Sequence, residues 1–313
     1  MTPDDQQLLS SYGEDVYLNV CELIVEFTGY GIFLLGLCVA VHIMLHKPHH
    51  PLLIKGSLSV IFICFTWIIL GQGGYELTQV LFALVRTSVE GIAAQGQTAF
   101  DKDLPWQYQD NWPITVNLLL GDFIVAWRAW KLFQHEKLWK IVLLSLLLAN
   151  VGINIADCIW NEIDIVQEST GIGQRSTLDW LSPTMSLAIN LCATLMITWK
   201  TWNHHRMMAD SSHIQSRAIN ILLVLIESGV IFCLIQVVYL SLNVVDMDTS
   251  DGTAASSLTF QLALEAVTGL QIIAAPLYPL AVFILIGIES SPVMETIHLT
   301  QESNGTVTTA ELA

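Results

Sequence analysis

The chain has 313 residues, of which 53% are hydrophobic and only 13% charged, and its mean hydropathy is +0.56. A soluble globular protein carries roughly a quarter charged residues, so the composition excludes that class and indicates an integral membrane protein. The net charge of −16, from 12 basic against 28 acidic residues, argues against nucleic acid as a partner and against a polybasic lipid-binding surface.

A membrane span needs about 20 mostly apolar residues. Seven windows qualify, at 19–45, 53–75, 112–133, 138–160, 178–202, 219–244 and 258–288. The expected fold is therefore all-α, a polytopic seven-transmembrane-helix bundle over 19–288. It is flanked by an extracellular tail at 1–18 and a polar, disordered cytosolic tail at 289–313. The second window continues in apolar character past Gly71-Gln72-Gly73-Gly74 to about Val89. This predicts a bend at the glycines and then an amphipathic helix leaving or lining the membrane.

Tryptophan marks the edges of the spans, because indole favours the membrane–water interface. Trp127, Trp130, Trp139, Trp199 and Trp202 define one side, and Trp106, Trp112, Trp160 and Trp180 the other. Nine basic residues fall in the connections on the first side: Lys47, Lys55, Arg128, Lys131, Lys137, Lys140, Lys200, Arg206 and Arg217. Three, Arg86, Lys102 and Arg175, fall on the second. The positive-inside rule then puts the N-terminus outside and the C-terminus in the cytosol, with the plasma membrane as the expected location. The first 18 residues have no basic n-region, so the first span is expected to insert as a signal-anchor. The Asn304-Gly305-Thr306 sequon falls in the cytosolic tail and should stay unglycosylated.

Ionisable residues within a span are costly and are functional candidates. Glu22, Glu26, Glu76, Asp122, Asp157, Glu227 and Glu265 lie in or at the ends of spans, and no basic residue lies at comparable depth. Some must then be protonated, hydrated or bound to a cation. Asn150, Asn154 and Asp157 form a polar stripe at helical spacing. Ser186, Asn190, Thr194 and Thr198 form a second, and Gln261, Glu265 and Thr268 a third. Such stripes face the bundle interior. The expected ligand-binding set is Glu26, Asp122, Asn154, Asp157, Asn190, Glu227, Gln261 and Glu265. Asp122 and Glu227 should face inward, and Glu26, Asn154, Asp157, Gln261 and Glu265 should converge on one outer pocket that favours an amine. The segment Asp122 to Lys131 ends in Trp127, Arg128 and Trp130, which reads either as an interfacial anchor or as a cytosolic switch.

Other chemistry finds no support. Cys21, Cys38, Cys64, Cys158, Cys192 and Cys233 all lie in apolar runs without CxxC spacing, which disfavours both disulfides and zinc. No phosphate loop, HExxH or GxSxG occurs, so no catalytic residue, metal or cofactor is expected. Asp101-Lys102-Asp103 reads as a solvated outer loop. The seventh span lacks lysine, which excludes a retinal Schiff base, and its Pro276 and Pro279 should kink it.

Four stretches carry a family resemblance. They are Leu120-Gly121-Asp122 leading into Trp127-Arg128-Ala129-Trp130, and Asn190-Leu191-Cys192-Ala193-Thr194 leading into Trp199-Lys200-Thr201-Trp202. The others are Ile226-Glu227-Ser228-Gly229 and Leu277-Tyr278-Pro279-Leu280. Over residues 20–290 the chain resembles a seven-transmembrane, receptor-like membrane-protein family of mushroom-forming (basidiomycete) fungi. The resemblance implies the seven-helix fold and names no ligand or effector. The leading expectation is a receptor-like protein sensing an external small molecule, with a cationic one preferred, and with a cytosolic signalling partner at the basic inner loops. A membrane-embedded enzyme resembling fungal terpene cyclases, an accessory protein of such a pathway, and a transporter are the alternatives.

Overall fold

In a computed structural model the described residues are 3–46, 52–86, 91–133, 136–168, 178–207, 216–249 and 258–289. They form seven α-helices: α1 (Pro3–His46), α2 (Leu52–Gln79), α3 (Ile92–Leu132), α4 (Lys137–Glu168), α5 (Leu178–Met207), α6 (Ser216–Thr249) and α7 (Leu258–Glu289). A π-helical turn, Val80–Val85, extends α2. Each helix packs on its chain neighbours and α7 packs on α1, closing a ring. α3 also touches α5 and α7, which makes it the central helix.

Six helices, all but α3, are long and apolar enough to cross a membrane, as expected of a multi-pass membrane protein. α3 falls short because its apolar half carries Asn117, Asp122, Arg128 and Lys131. Its polarity points inward: Asn117 and Asp122 are buried. The bundle buries polar groups beside two apolar core clusters and leaves large apolar side chains exposed on its outside. Leu35 is 71% exposed and Ile24 62%, whereas Asp122 and Asn150 are 0% exposed. In water that arrangement would be unfavourable on both counts, and in hydrocarbon it is favoured on both. Trp112, Trp160 and Trp180 are exposed at one end of the bundle and Trp139, Trp199 and Trp202 at the other, as two interfacial belts.

Several sequence expectations change. α1 is helical from Pro3, so most of the segment expected as a tail continues the first helix. α3 starts at Ile92, about 20 residues before its apolar window, and Asp101-Lys102-Asp103 lies on this helix rather than in a loop, with Asp103 buried. Gly91, at φ +101°, supplies the turn that starts it, a conformation that costs glycine nothing. α2 does not break at Gly71–Gly74. A Cβ at Gly71 would overlap the Asp110 carboxylate and one at Gly74 the Trp106 ring, so these glycines admit the polar half of α3. α2 ends instead at the π-turn, where the Arg86 N–H donates to the Leu81 carbonyl at 2.9 Å. α7 runs unbroken through both prolines. Pro279 has no N–H for the Ala275 carbonyl, and Gly121 of α3 leaves room beside that freed oxygen. The segments 169–177, 208–215 and 290–313, which include Arg175, Arg217's preceding loop and the Asn304 sequon, lie outside the described residues.

Candidate functional site

Polar side chains inside the bundle gather in three places. The first is a cavity of about 320 Å³ among α3 to α7. Most of its lining residues bear an amide or hydroxyl, although more of the wall surface is carbon: Asn111, Thr115 and Asn117 from α3, Asn154, Asp157 and Asn161 from α4, and Ser182, Tyr239, Asn243, Thr268 and Gln271 from α5, α6 and α7. Ile68, Ile114, Leu118, Ile272 and Ala275 supply apolar wall. Asp157 is its single acid. The cavity lies at the end of the bundle that holds the C-terminal end of α4 and the start of α5, the side expected to face outward.

The second is a knot around Asp122, directly beneath. Asp122 Oδ1 accepts from Ser186 Oγ at 2.9 Å and from Asn190 Nδ2 at 2.8 Å, and Oδ2 accepts from Asn150 Nδ2 at 2.9 Å. Gln236 Nε2 of α6 donates to Ser186 Oγ at 2.9 Å. Asn154 Nδ2 donates to Asn150 Oδ1 at 2.9 Å, and Ser182 Oγ donates to Asn154 Oδ1 at 2.8 Å. Asn154 and Ser182 also line the cavity, so cavity wall and knot share two side chains. One carboxylate thus ties α3, α4, α5 and α6 together through neutral donors. Each such bond is worth more in a dry interior than in water, provided every partner is satisfied.

The third is an acidic chamber among α1, α2, α3 and α7. Glu22 and Glu265 are hydrogen-bonded to each other, which requires a proton on one of them. Glu76 is hydrogen-bonded to Asn19. Glu26 is 0% exposed and, among the described residues, neither of its oxygens has a partner. Its charged neighbours are Asp110 and Glu76, and none is basic. Gly269 of α7 faces Glu22, Val25 and Glu26 here, and one turn further along α1 a Cβ at Gly29 would overlap Ile273 of α7, so that glycine lets the two helices approach closely. On the polar half of α3, Asp103 is 1% exposed, with both oxygens unpartnered among the described residues. Burial pushes its carboxyl up from 3.8 to about 7.

The expected outer pocket therefore divides: Asn154 and Asp157 line the cavity, whereas Glu26 and Glu265 belong to the chamber. Asp122 and Asn190, expected deeper, sit in the knot. Gln261 is half-buried one turn before Glu265 and does not reach the cavity wall. Glu227 corrects the inward expectation: it is exposed on the outside of α6, because Gly229 takes the inward position beside Thr194 and Tyr278. The proposed switch divides as well. Arg128 turns inward and Nη2 donates to Tyr278 Oη at 2.6 Å, while Tyr278 stacks on Phe232. Trp127 and Trp130 point to a groove between α3 and α4.

Asn117, Gln236, Gln271, Asp103 and Asp110 were missed. Gln236 stands alone in Leu234-Ile235-Gln236-Val237, and an amide in such a run was a readable signal. Asp103 and Asp110 precede the apolar window and gave none. Among the described residues no group of three or more His, Cys, Asp or Glu is arranged to hold a metal ion. No protein-family model, curated protein or solved structure matches the chain.

Proposed function

We propose that the chain is a seven-span membrane receptor that takes a small molecule into the cavity from the outer side and passes the event to its inner end. The observation that carries this reading is the shared wall: Asn154 and Ser182 border both the cavity and the Asp122 knot. A ligand that hydrogen-bonds Asn154 competes with the bond to Asn150, and so alters the hold on Asp122. Six residues further along α3, Arg128 grips Tyr278 between the two prolines of α7. A shift of α3 would be read there.

Asp157, as the single acid of a mainly neutral wall, favours a monocationic amphiphile such as an amine. The outside N-terminus, the plasma-membrane location, a cytosolic partner at the basic connections and kinship with the fungal receptor-like family belong to the same proposal. With a stabilising amine the purified protein should gain RT ln(1 + [L]/Kd) of stability and therefore melt at a higher temperature. Asp157→Asn should abolish that shift. Failure of every amine to shift the wild type would remove the reading. Turnover of an added isoprenoid substrate, lost in Asp157→Asn, would replace it with the enzyme alternative.

A further inference from the structure

A second cavity lies on the outside of the bundle, along the seam of α3 and α4 at the end opposite the polar one. It measures about 220 Å³ and its wall is apolar: Phe123, Ala126, Trp127 and Trp130 of α3 face Leu143, Leu144 and Leu147 of α4. On α3 these positions fall at i, i+3, i+4 and i+7, about 10 Å of helix at 1.5 Å per residue, and Leu143, Leu144 and Leu147 line about one turn of α4. One of its ends is basic. Lys131 Nζ stands 4.3 Å from the Trp127 ring centre, and Lys140 Nζ 5.3 Å from that of Trp130. Lys137 is exposed nearby.

Arg128 turns inward to Tyr278. Glu136, the neighbouring acid, pairs with Lys200 Nζ of α5 at 3.2 Å. A groove that is apolar along its length and positive at its interfacial end matches an amphiphile of opposite sense, with a chain toward mid-membrane and an anionic head at the surface. The chain's net charge of −16 makes this local positive pair more distinctive. The two ammonium groups lie over the indole rings within cation–π range, which fixes their charge at this end of the groove.

We propose that the α3–α4 groove binds one anionic phospholipid, its acyl chain against Trp127, Trp130 and Leu144 and its phosphate between Lys131 and Lys140. The site lies at the other end of the bundle from the ligand cavity, so it stands or falls independently of the receptor reading. It requires only that this face meet a bilayer.

The test is native mass spectrometry of delipidated full-length protein offered equal phosphatidylglycerol and phosphatidylcholine, followed by a sterol competitor. One retained phosphatidylglycerol is expected, preferred on the order of tenfold. Lys131→Gln with Lys140→Gln should erase the preference while leaving chain binding. Leu144→Trp, at an exposed position that fills the groove without touching the core, should expel both lipids. Melting temperatures of each variant separate these effects from misfolding. Equal retention of the two phospholipids by the wild type would overturn the proposal. So would displacement of the phospholipid by a sterol with no dependence on the lysines.

Discussion

Asp122 and Glu26 are both wholly buried carboxyl groups in the same bundle, and their surroundings are opposite. Asp122 accepts from Asn150, Ser186 and Asn190, each a neutral donor within 2.9 Å. Glu26 has no hydrogen-bond partner among the described residues and looks toward two further acids. Burial alone does not decide what an acid does to stability; the completeness of its hydrogen bonding does. The knot holds four helices together, and the chamber is a place where α1 and α7 are held in contact against an electrostatic cost.

That contrast fixes opposite signs for similar substitutions. Asp122→Leu leaves Asn150, Ser186 and Asn190 without their acceptor and should destabilise the protein by about 3 kcal/mol, which melting in detergent would register as a loss of most folded material. Asp122→Asn should cost less. Glu26→Leu removes a buried, unpartnered carboxyl beside two acids and should raise stability by about 1 kcal/mol. A drop of similar size to that of Asp122→Leu would show that the two regions do the same work.

Asp103 extends the comparison to pH. Its folded value of about 7 lies above its ordinary 3.8, so between those values the folded state binds more protons than the unfolded chain. Stability is then highest near pH 4, falls as pH rises toward 7, and is level above it. Tyr75 and Glu76 of α2 are the titratable groups that feel its charge. Asp103→Asn should flatten that part of the melting profile and raise the midpoint at pH 8 by a few degrees. A profile that stays as steep in the variant would assign the pH dependence to other groups. The smallest change should come from Asp157→Asn: without ligand, about 0.5 kcal/mol or less, since the cavity already gives its side chain space.

The helices were legible because apolar windows of span length leave few alternatives, and the stripes of α4 and α5 were legible because Asn150, Asn154, Ser186 and Asn190 recur at helical spacing. What sequence could not give was which stripes meet. Asn154 and Glu265 lie at similar depth and α4 and α7 both line the cavity, yet α7 presents Thr268 and Gln271 to it while Glu265 meets Glu22 of α1, so the two acids Asp157 and Glu265 serve different sites. The polar half of α3 escaped notice for a different reason. Hydropathy finds the part of a helix that contacts lipid, and residues 92–111 pack instead on α2 through Gly71 and Gly74. An acid in an apolar run favours an inward placement of Glu227, but the small residue two positions later, Gly229, determines which face of α6 approaches α5.

The coupling of cavity to knot is tested most directly at Asn150. Its side chain joins Asn154 to Asp122, and it is not part of the cavity wall. With an amine that raises the melting temperature of the wild type, Asn150→Leu should shrink that shift by at least half while Asp157 and the rest of the wall remain in place. An undiminished shift in a folded Asn150→Leu protein would mean that the cavity and the Asp122 knot act independently, and the proposed path from ligand to inner end would be contradicted.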